Sequence, residues 1–344
     1  MKVLLTGKWT GGGGEINFIY KALKKLNIEV DIVRQEEYFN TSLINKISYR
    51  LLRTPYYFFT GKLNKELIKR VKSFKPDFIL CFKPILIKPK TVKALSGITK
   101  VFSWYPDYVL FPKTCSTYFY KSIPLYDCHF FFNFANSKEL LKLGAKKAIF
   151  LTCAADPDCH KPTEVTPEEK DRLGADIVFI GTYAKENRFE YMEKLCGEGY
   201  DIKIYGNSWE KCPKSSCLFK KGCIQFKEAS CGNMSKVLNS SKIALAFVRE
   251  HNDETLACRT FEIPACGAFM LHSRTSKIGE FLEEGKEAEF FDSYDEMKNK
   301  IDFYLKHDLL RKNIAKNGQE KIVNGGHLFI NRVKSILDIF ESMR

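Results

Sequence analysis

The chain has 344 residues, 44% of them apolar, with 55 Lys and Arg against 41 Asp and Glu, a formal net charge of +14. That length exceeds what one ordinary core fills and points to two domains, while no apolar run approaches the ~20 residues of a membrane-spanning helix. Twelve cysteines outside any short secreted framework, behind an N-terminus that does not resemble a leader, read as reduced thiols in a cytoplasmic protein.

In chain order, Lys2–Thr6 is a short buried strand that runs into the turn Gly11–Gly14, and Glu15–Leu26 has helical periodicity through Ile16, Ile19, Leu23 and Leu26. Glu29–Val33 is a second strand. Asp77–Cys81, Thr99–Trp104 and Lys147–Thr152 follow, separated by Lys-rich helical stretches. This alternation predicts an α/β fold with a doubly wound parallel sheet. Between Ala155 and Leu173 the composition shifts to Asp, Pro, Lys, Thr and Glu, with Pro157, Pro162 and Pro167, as in a linker. A second alternation begins at Asp176–Ile180, turns at Gly181-Thr182 and enters a helix from about Asn187 to Cys196. It continues through the strand Asp201–Tyr205, the turn Gly206-Asn207 and the strand Ile243–Phe247. An amphipathic helix from about His327 to Met343 ends the chain. The expected division is a first domain over 1–155, a linker over 156–172, a second domain over 173–326, and a helix over 327–344 packing back toward the first domain. Two such sheets facing across a cleft would bind ligands at the carboxyl ends of their strands.

The charge is unevenly placed. Residues 1–150 hold 26 Lys and Arg against 10 Asp and Glu, a net of +16, whereas the remaining 194 hold 29 against 31, a net of −2. Either the first half is simply kept soluble, or it faces an anionic partner. The segment from Ser48 to Lys62 interleaves cations with Tyr and Phe, which fits an anionic membrane surface, a nucleic acid or an aromatic core helix. Cys212, Cys217, Cys223 and Cys231 cluster without the paired spacing of a zinc ribbon, and His129, His160 and His272 have no metal-ligand spacing, so no metal site is expected.

Glu254 and Glu262 flank a short, mostly apolar segment that runs on through Ile263-Pro264-Ala265-Cys266-Gly267 into an apolar strand-like run. A carboxylate accepts two hydroxyls side by side, so paired acids at a helix edge suit a polyhydroxylated ligand. Glu262 falls in the first turns of a helix beginning near Thr255, where Pro264 leaves the Thr260 carbonyl without its usual partner. The plainer readings are a first-turn glutamate favoured by the helix dipole and, for Glu254, a solvated loop. In the first half, Lys8-Trp-Thr-Gly11-Gly12-Gly13-Gly14 follows the first strand. Its glycines allow close backbone approach to a phosphate or sugar, or form only a mobile turn, and the pattern is not that of a P-loop.

Several phrases resemble the second domain of GT-B glycosyltransferases, in particular the CgeB-like spore-maturation group related to glycosyltransferase family 4. They are Asp176–Thr182 with Arg188, Ile204–Trp209, Val237–Leu245, Arg259–Gly267 and Arg311–Gly318, and the Glu254/Glu262 pair is similar to the family's two-glutamate motif. In that order they cover most of residues 75–335. The resemblance implies a GT-B fold of two Rossmann-like domains, the first on the acceptor side and the second on the donor side. It implies a transferase that moves a sugar from a nucleoside-diphosphate sugar to a hydroxyl acceptor, with retention, no cofactor and no strict need for a metal.

By the same resemblance Glu262 would bind the ribose hydroxyls and Glu254 the donor sugar, with Arg259 or Arg188 on the diphosphate and Gly181, Tyr205, Gly206 and Thr260 around the nucleotide. Fixed cations stabilise the charge a diphosphate leaving group gains. The family shows a clearer cation pair after the first strand of this domain than Gly181–Arg188 does, which leaves open which cation touches phosphate. Lys8, Gly11, Gly12, Gly13, Gly14 and Trp104 would border the diphosphate and acceptor, and Asp107 would orient an acceptor hydroxyl or act as its base. The acceptor is expected to be anionic (a glycan, a polymer or a nucleic acid), with peripheral contact to the inner face of the membrane left open. The rival readings are a DNA-modifying glycosyltransferase of phage type acting on a hydroxylated base, and a non-catalytic sugar- or nucleotide-binding protein of a spore or envelope layer.

Overall fold

The computed structural model describes residues 1–9, 13–38, 57–111, 114–227, 229–249 and 256–344. Eleven described strands build two sheets, each parallel throughout. The first sheet takes β1 (Lys2–Gly7), β2 (Glu29–Arg34), β3 (Phe78–Phe82), β4 (Lys100–Tyr105), β5 (Cys128–Phe131) and β6 (Ala148–Phe150), in the order β2-β1-β3-β4-β5-β6. The second takes β7 (Ile177–Ile180), β8 (Ile202–Tyr205), β9 (Ile243–Ala246), β10 (Met270–Ser273) and β11 (Glu289–Phe291), in the order β11-β10-β9-β7-β8. The chain divides into two units: one holds Met1–Cys153 with Phe329–Arg344, the other the described residues between Ala154 and Leu328. This is the α/β, two-sheet architecture expected from the sequence.

Central parallel strands are covered by helices on both faces, so every position must be apolar or satisfied. β3 (Phe-Ile-Leu-Cys-Phe) and β7 (Ile-Val-Phe-Ile) are buried at every residue. The edge strand β2 instead exposes Glu29 and Arg34. In the first unit the helix Glu15–Lys25 buries Ile16, Phe18, Ile19, Ala22 and Leu23. The C-terminal helix Phe329–Glu341 lies against it, with Phe329 5.3 Å from Phe18 between ring centroids and Phe340 4.8 Å from Phe78. The Arg332 guanidinium, buried in that helix, donates to the Thr152 hydroxyl at 2.9 Å. The segment 48–56 lies outside the described residues; from Tyr57 the chain forms a helix to Phe74.

In the second unit the stretch read as a linker contains a helix, Pro167–Leu173, closed at its start by a reciprocal cap between Thr166 and Glu169. Cys159 is disulfide-bonded to Cys231, which corrects the expectation of uniformly reduced thiols. The two are 72 positions apart, and only the fold brings their Cα atoms to 4.5 Å. Two strands, β5 and β11, had no counterpart in the sequence reading. Among the described residues no helix is long and apolar enough to cross a membrane.

Candidate functional site

The helix carrying Glu262 spans Arg259–Ala265, a later start than Thr255, with Cys258 accepting the Glu262 N–H at 3.0 Å. Pro264 stands inside it. Having no N–H, Pro264 ends the ladder early, and Gly267 closes the turn at φ +69°, donating to the Pro264 carbonyl at 2.7 Å. The result is about two turns of helix that hold Glu262 at the first turn, only 7% exposed.

A carboxylate so buried needs charged or hydrogen-bonding partners. One oxygen of Glu262 pairs with the Arg259 guanidinium. The same guanidinium donates through Nε to the carbonyl of Ile180 at 3.1 Å, where β7 ends. The other carboxylate oxygen lies 3.7 Å from His160 Nε2. His160 Nδ1 accepts the Asp156 N–H at 3.0 Å, which assigns the ring proton of a neutral imidazole to the nitrogen facing Glu262. The fold therefore gathers Glu262, Arg259, His160 and the carboxyl end of β7.

Gly181 and Gly206 follow β7 and β8, where two backbones nearly touch. The Gly181 N–H donates to the Tyr205 carbonyl at 2.9 Å, and Gly206, at φ +141°, has its α-carbon so near Gly181 that a β-carbon there would collide with the Gly181 carbonyl. Trp209 completes this corner by donating from Nε1 to that carbonyl at 2.9 Å. Tyr205 is buried, and its hydroxyl donates to the Leu173 carbonyl at 2.9 Å. Arg188, 6% exposed, stands in the first turn of the helix Asn187–Gly197 and donates to Glu186 at 3.1 Å.

Thr260 points into the core. Its hydroxyl accepts the Ala257 N–H at 3.2 Å and bonds His272 Nε2 at 3.0 Å, and His272 Nδ1 donates to its neighbour, the Ser273 carbonyl, at 2.6 Å. Burial pushes His272 down to about 4, so it is a neutral core histidine. His129 is the first unit's counterpart: it bonds Ser103 at 2.5 Å and the Ile123 carbonyl at 2.8 Å, and burial pushes it likewise to about 4.

Glu254, Gly11 and Gly12 lie outside the described residues. Lys8 is exposed, Gly13 is exposed, and Gly14 caps the helix Glu15–Lys25. Trp104 is fully buried among Phe82, Phe132 and Phe329, with its indole N–H donating to the Leu151 carbonyl at 3.1 Å. Asp107, just past β4, is ion-paired with Lys83 at 2.5 Å, and its carbonyl accepts from Asn136 at 2.8 Å. The clustered cysteines diverge. Cys231 is bonded to Cys159, Cys212 turns to the Pro213 carbonyl, and Cys217 and Cys223 meet Cys196. Among the described residues no three His, Cys, Asp or Glu side chains are grouped to hold a metal. His160 and Lys83 are the additions that sequence reasoning missed. Each reaches its partner only through sheet topology, and no local spacing marks either one.

Residues 186–338 match a family model described as glycosyl transferase-like. No curated protein sequence matches the chain. Solved structures match its full fold at low identity. A sucrose-phosphate synthase from Thermosynechococcus elongatus has a TM-score of 0.71 at 10% identity, covering 99% of this chain and 98% of that one. An alpha-glucosyltransferase in complex with UDP-glucose and DNA containing an abasic site has a TM-score of 0.68 at 12% identity, covering 99% of both chains. The HepE protein of Anabaena in complex with UDP-glucose has a TM-score of 0.65 at 12% identity, covering 99% of this chain and 100% of that one. The chain thus has the GT-B fold, and its residues 186–338 are similar to a glycosyl transferase-like family.

Proposed function

We propose that the protein transfers a sugar from a nucleoside-diphosphate sugar to a hydroxyl acceptor, with retention and without a metal, as a relative of family 4 in its CgeB-like branch. One observation carries this reading: a buried carboxylate, Glu262, is kept between Arg259 and His160 at the carboxyl end of β7, where parallel α/β sheets bind their ligands. An acid there is costly unless it serves a ligand or a structural pair. In this reading Glu262 accepts the ribose hydroxyls and Glu254 those of the donor sugar. Arg259, together with Arg188, carries the diphosphate charge that a metal would otherwise neutralise. The Gly181–Gly206 corner, at the carboxyl ends of β7 and β8, faces the nucleotide through its backbone. Lys8 and the Gly11–Gly14 loop border the acceptor, and Asp107, oriented by Lys83, receives the acceptor hydroxyl. The bond from the anomeric carbon to the diphosphate breaks as the bond to the acceptor oxygen forms.

A second reading concerns the acceptor alone. The net +16 over residues 1–150 favours a polyanion, and a fold shared with a glucosyltransferase crystallised on DNA makes a hydroxylated nucleic-acid base one candidate beside an anionic glycan or a membrane-borne acceptor.

The test is a thermal-shift and hydrolysis screen over UDP-, GDP-, ADP- and CMP-sugars. A native-state ligand raises the melting point with the logarithm of its concentration relative to its dissociation constant. Stabilisation by one nucleotide class, with release of free sugar, is the expected result. Stabilisation without turnover by any donor or acceptor would favour a binding protein, and no stabilisation at all would end the proposal.

A further inference from the structure

We propose that His160 is a positioning residue for Glu262, which rests on the reading of Glu262 as the ribose-binding acid. Arg259 takes one carboxylate oxygen, and without a second group the carboxylate could rotate about its last torsion. His160 Nε2 faces the other oxygen at 3.7 Å, too long for a hydrogen bond but close enough to bias that rotation. An acid fixed from both ends presents its remaining lone pairs in one direction, as two adjacent ribose hydroxyls require.

The segment that delivers His160 is held unusually well for a stretch without regular structure. Asp156 accepts the N–H groups of Asp158 and Cys159 through its side chain, at 3.2 and 3.1 Å, and the His160 N–H through its carbonyl at 2.7 Å. The Asp156 N–H in turn fixes the imidazole. Cys159 is bonded to Cys231 at the start of the helix Gly232–Ser240, and Ser235 of that helix donates to the Cys159 carbonyl at 2.7 Å. Downstream, the Thr163 N–H donates to Asn239 at 2.7 Å. Asn239 also donates to the Cys266 carbonyl at 2.8 Å, just past the Glu262 helix. The turn, the helix Gly232–Ser240 and the Glu262 helix are therefore tied together around one imidazole. His160 itself is 3% exposed, so solvation does not explain its place.

The experiment compares affinity for UDP with that for its 2′,3′-dideoxy analogue, run in parallel with the ADP, GDP and CDP pairs, by calorimetric titration of the full-length protein. Grip on the ribose hydroxyls is the ratio of the two affinities, a quantity that general loosening of the fold does not move. Wild type should prefer the ribonucleotide, and Glu262→Gln should abolish the preference. His160→Leu should cut it about 2- to 5-fold, the scale of a polar contact longer than a hydrogen bond. His160→Gln, which restores an N–H donor of similar reach, should recover it. If His160→Leu does not fold, His160→Asn decides: it can still accept the Asp156 N–H but falls short of Glu262, and should show the same loss. A preference unchanged in these variants but lost in Glu262→Gln would overturn the role of His160 alone. A preference that survives Glu262→Gln, or the absence of binding by every nucleotide, would overturn the reading of Glu262 and this inference with it.

Discussion

At the scale of single residues, Glu262 and Arg259 form a largely buried ion pair, proposed above to receive a ligand's hydroxyls. Glu262→Gln keeps shape and volume but removes the charge that strengthens bonds to hydroxyl donors. A charge-assisted hydrogen bond contributes about 1.5–3 kcal/mol, so nucleotide affinity should fall roughly 10- to 100-fold, measured by titration calorimetry. If Arg259 and Arg188 neutralise the diphosphate, turnover should be the same in EDTA as in magnesium, and a rate that collapses on chelation would reassign that task to a metal. The two core histidines predict a pH effect. His129 and His272 are held at about 4 by burial, below their ordinary value near 6.5, so the unfolded chain binds their protons first as pH falls. Their contribution is complete above pH ~6.5 and is lost progressively toward pH ~4, on the order of 3 kcal/mol for each ring. Urea midpoints at pH 7, 5.5 and 4.5 should fall steadily, and His129→Gln should flatten part of that slope. Equal midpoints at all three values would contradict the burial of both rings.

At the scale of elements, the corner between β7 and β8 is the least tolerant place in the second unit. Gly206 sits at φ +141° with its α-carbon against the Gly181 carbonyl, so Gly206→Ala combines a forbidden backbone conformation with a backbone collision. We expect a loss above about 3 kcal/mol, read as a collapse of the cooperative melt, while Gly197→Ala, which meets open space, should be neutral or better. Much of this architecture was legible beforehand. Apolar runs bounded by Gly, Pro or Asp marked β1, β3, β4, β7, β8 and β9 to within a residue or two, because buried parallel strands leave an unbroken apolar signature. β5 was missed because Asp127-Cys-His-Phe-Phe gives no alternation and places a histidine mid-strand, a residue whose burial only the Ser103 and Ile123 partners explain. β11 is three residues long and opens with Glu289, made tolerable by Lys300 and Tyr304 at 2.7 and 2.6 Å. Site residues followed the same rule. Glu262, Arg259 and Gly181 were legible as a local phrase. Trp104 looked like a strand-end contact and is core, because its position on the inner face is set by register and not by its distance along the chain. Thr260 looked ligand-facing for a similar reason, and its hydroxyl is taken by Ala257 and His272.

At the scale of the whole molecule, the dominant fact is the imbalance of +16 over residues 1–150 against −2 over the rest. Solubility alone does not require that cations line up, yet on the helix Tyr57–Phe74 the exposed residues Lys62, Lys65, Lys69 and Lys72 recur at helical spacing along one face. The helix's other cation, Arg70, is tied to Glu66 and Asp31 at 2.7 Å, so its charge is spent internally. A row of four lysines with no ion-pair partner among the described residues, along ten residues of helix, spans about 15 Å, a length that meets several phosphates of a duplex or several anionic groups of a polymer. If this face receives an acceptor polyanion, binding is governed by counterion release, and log K should fall linearly with log salt at close to one unit per anionic contact. Fluorescence titrations of the full-length protein with a labelled DNA duplex, from 50 to 300 mM salt, should give a slope whose magnitude is about 3.6 or more. Replacing all four lysines by Gln should lower it by about three to four while leaving nucleotide affinity unchanged, because none of the four is assigned to the nucleotide. A slope near zero in the wild type, or one that the quadruple variant does not change, would return this charge to the role of a solvated surface. The acceptor would then have to be sought among neutral hydroxyl compounds.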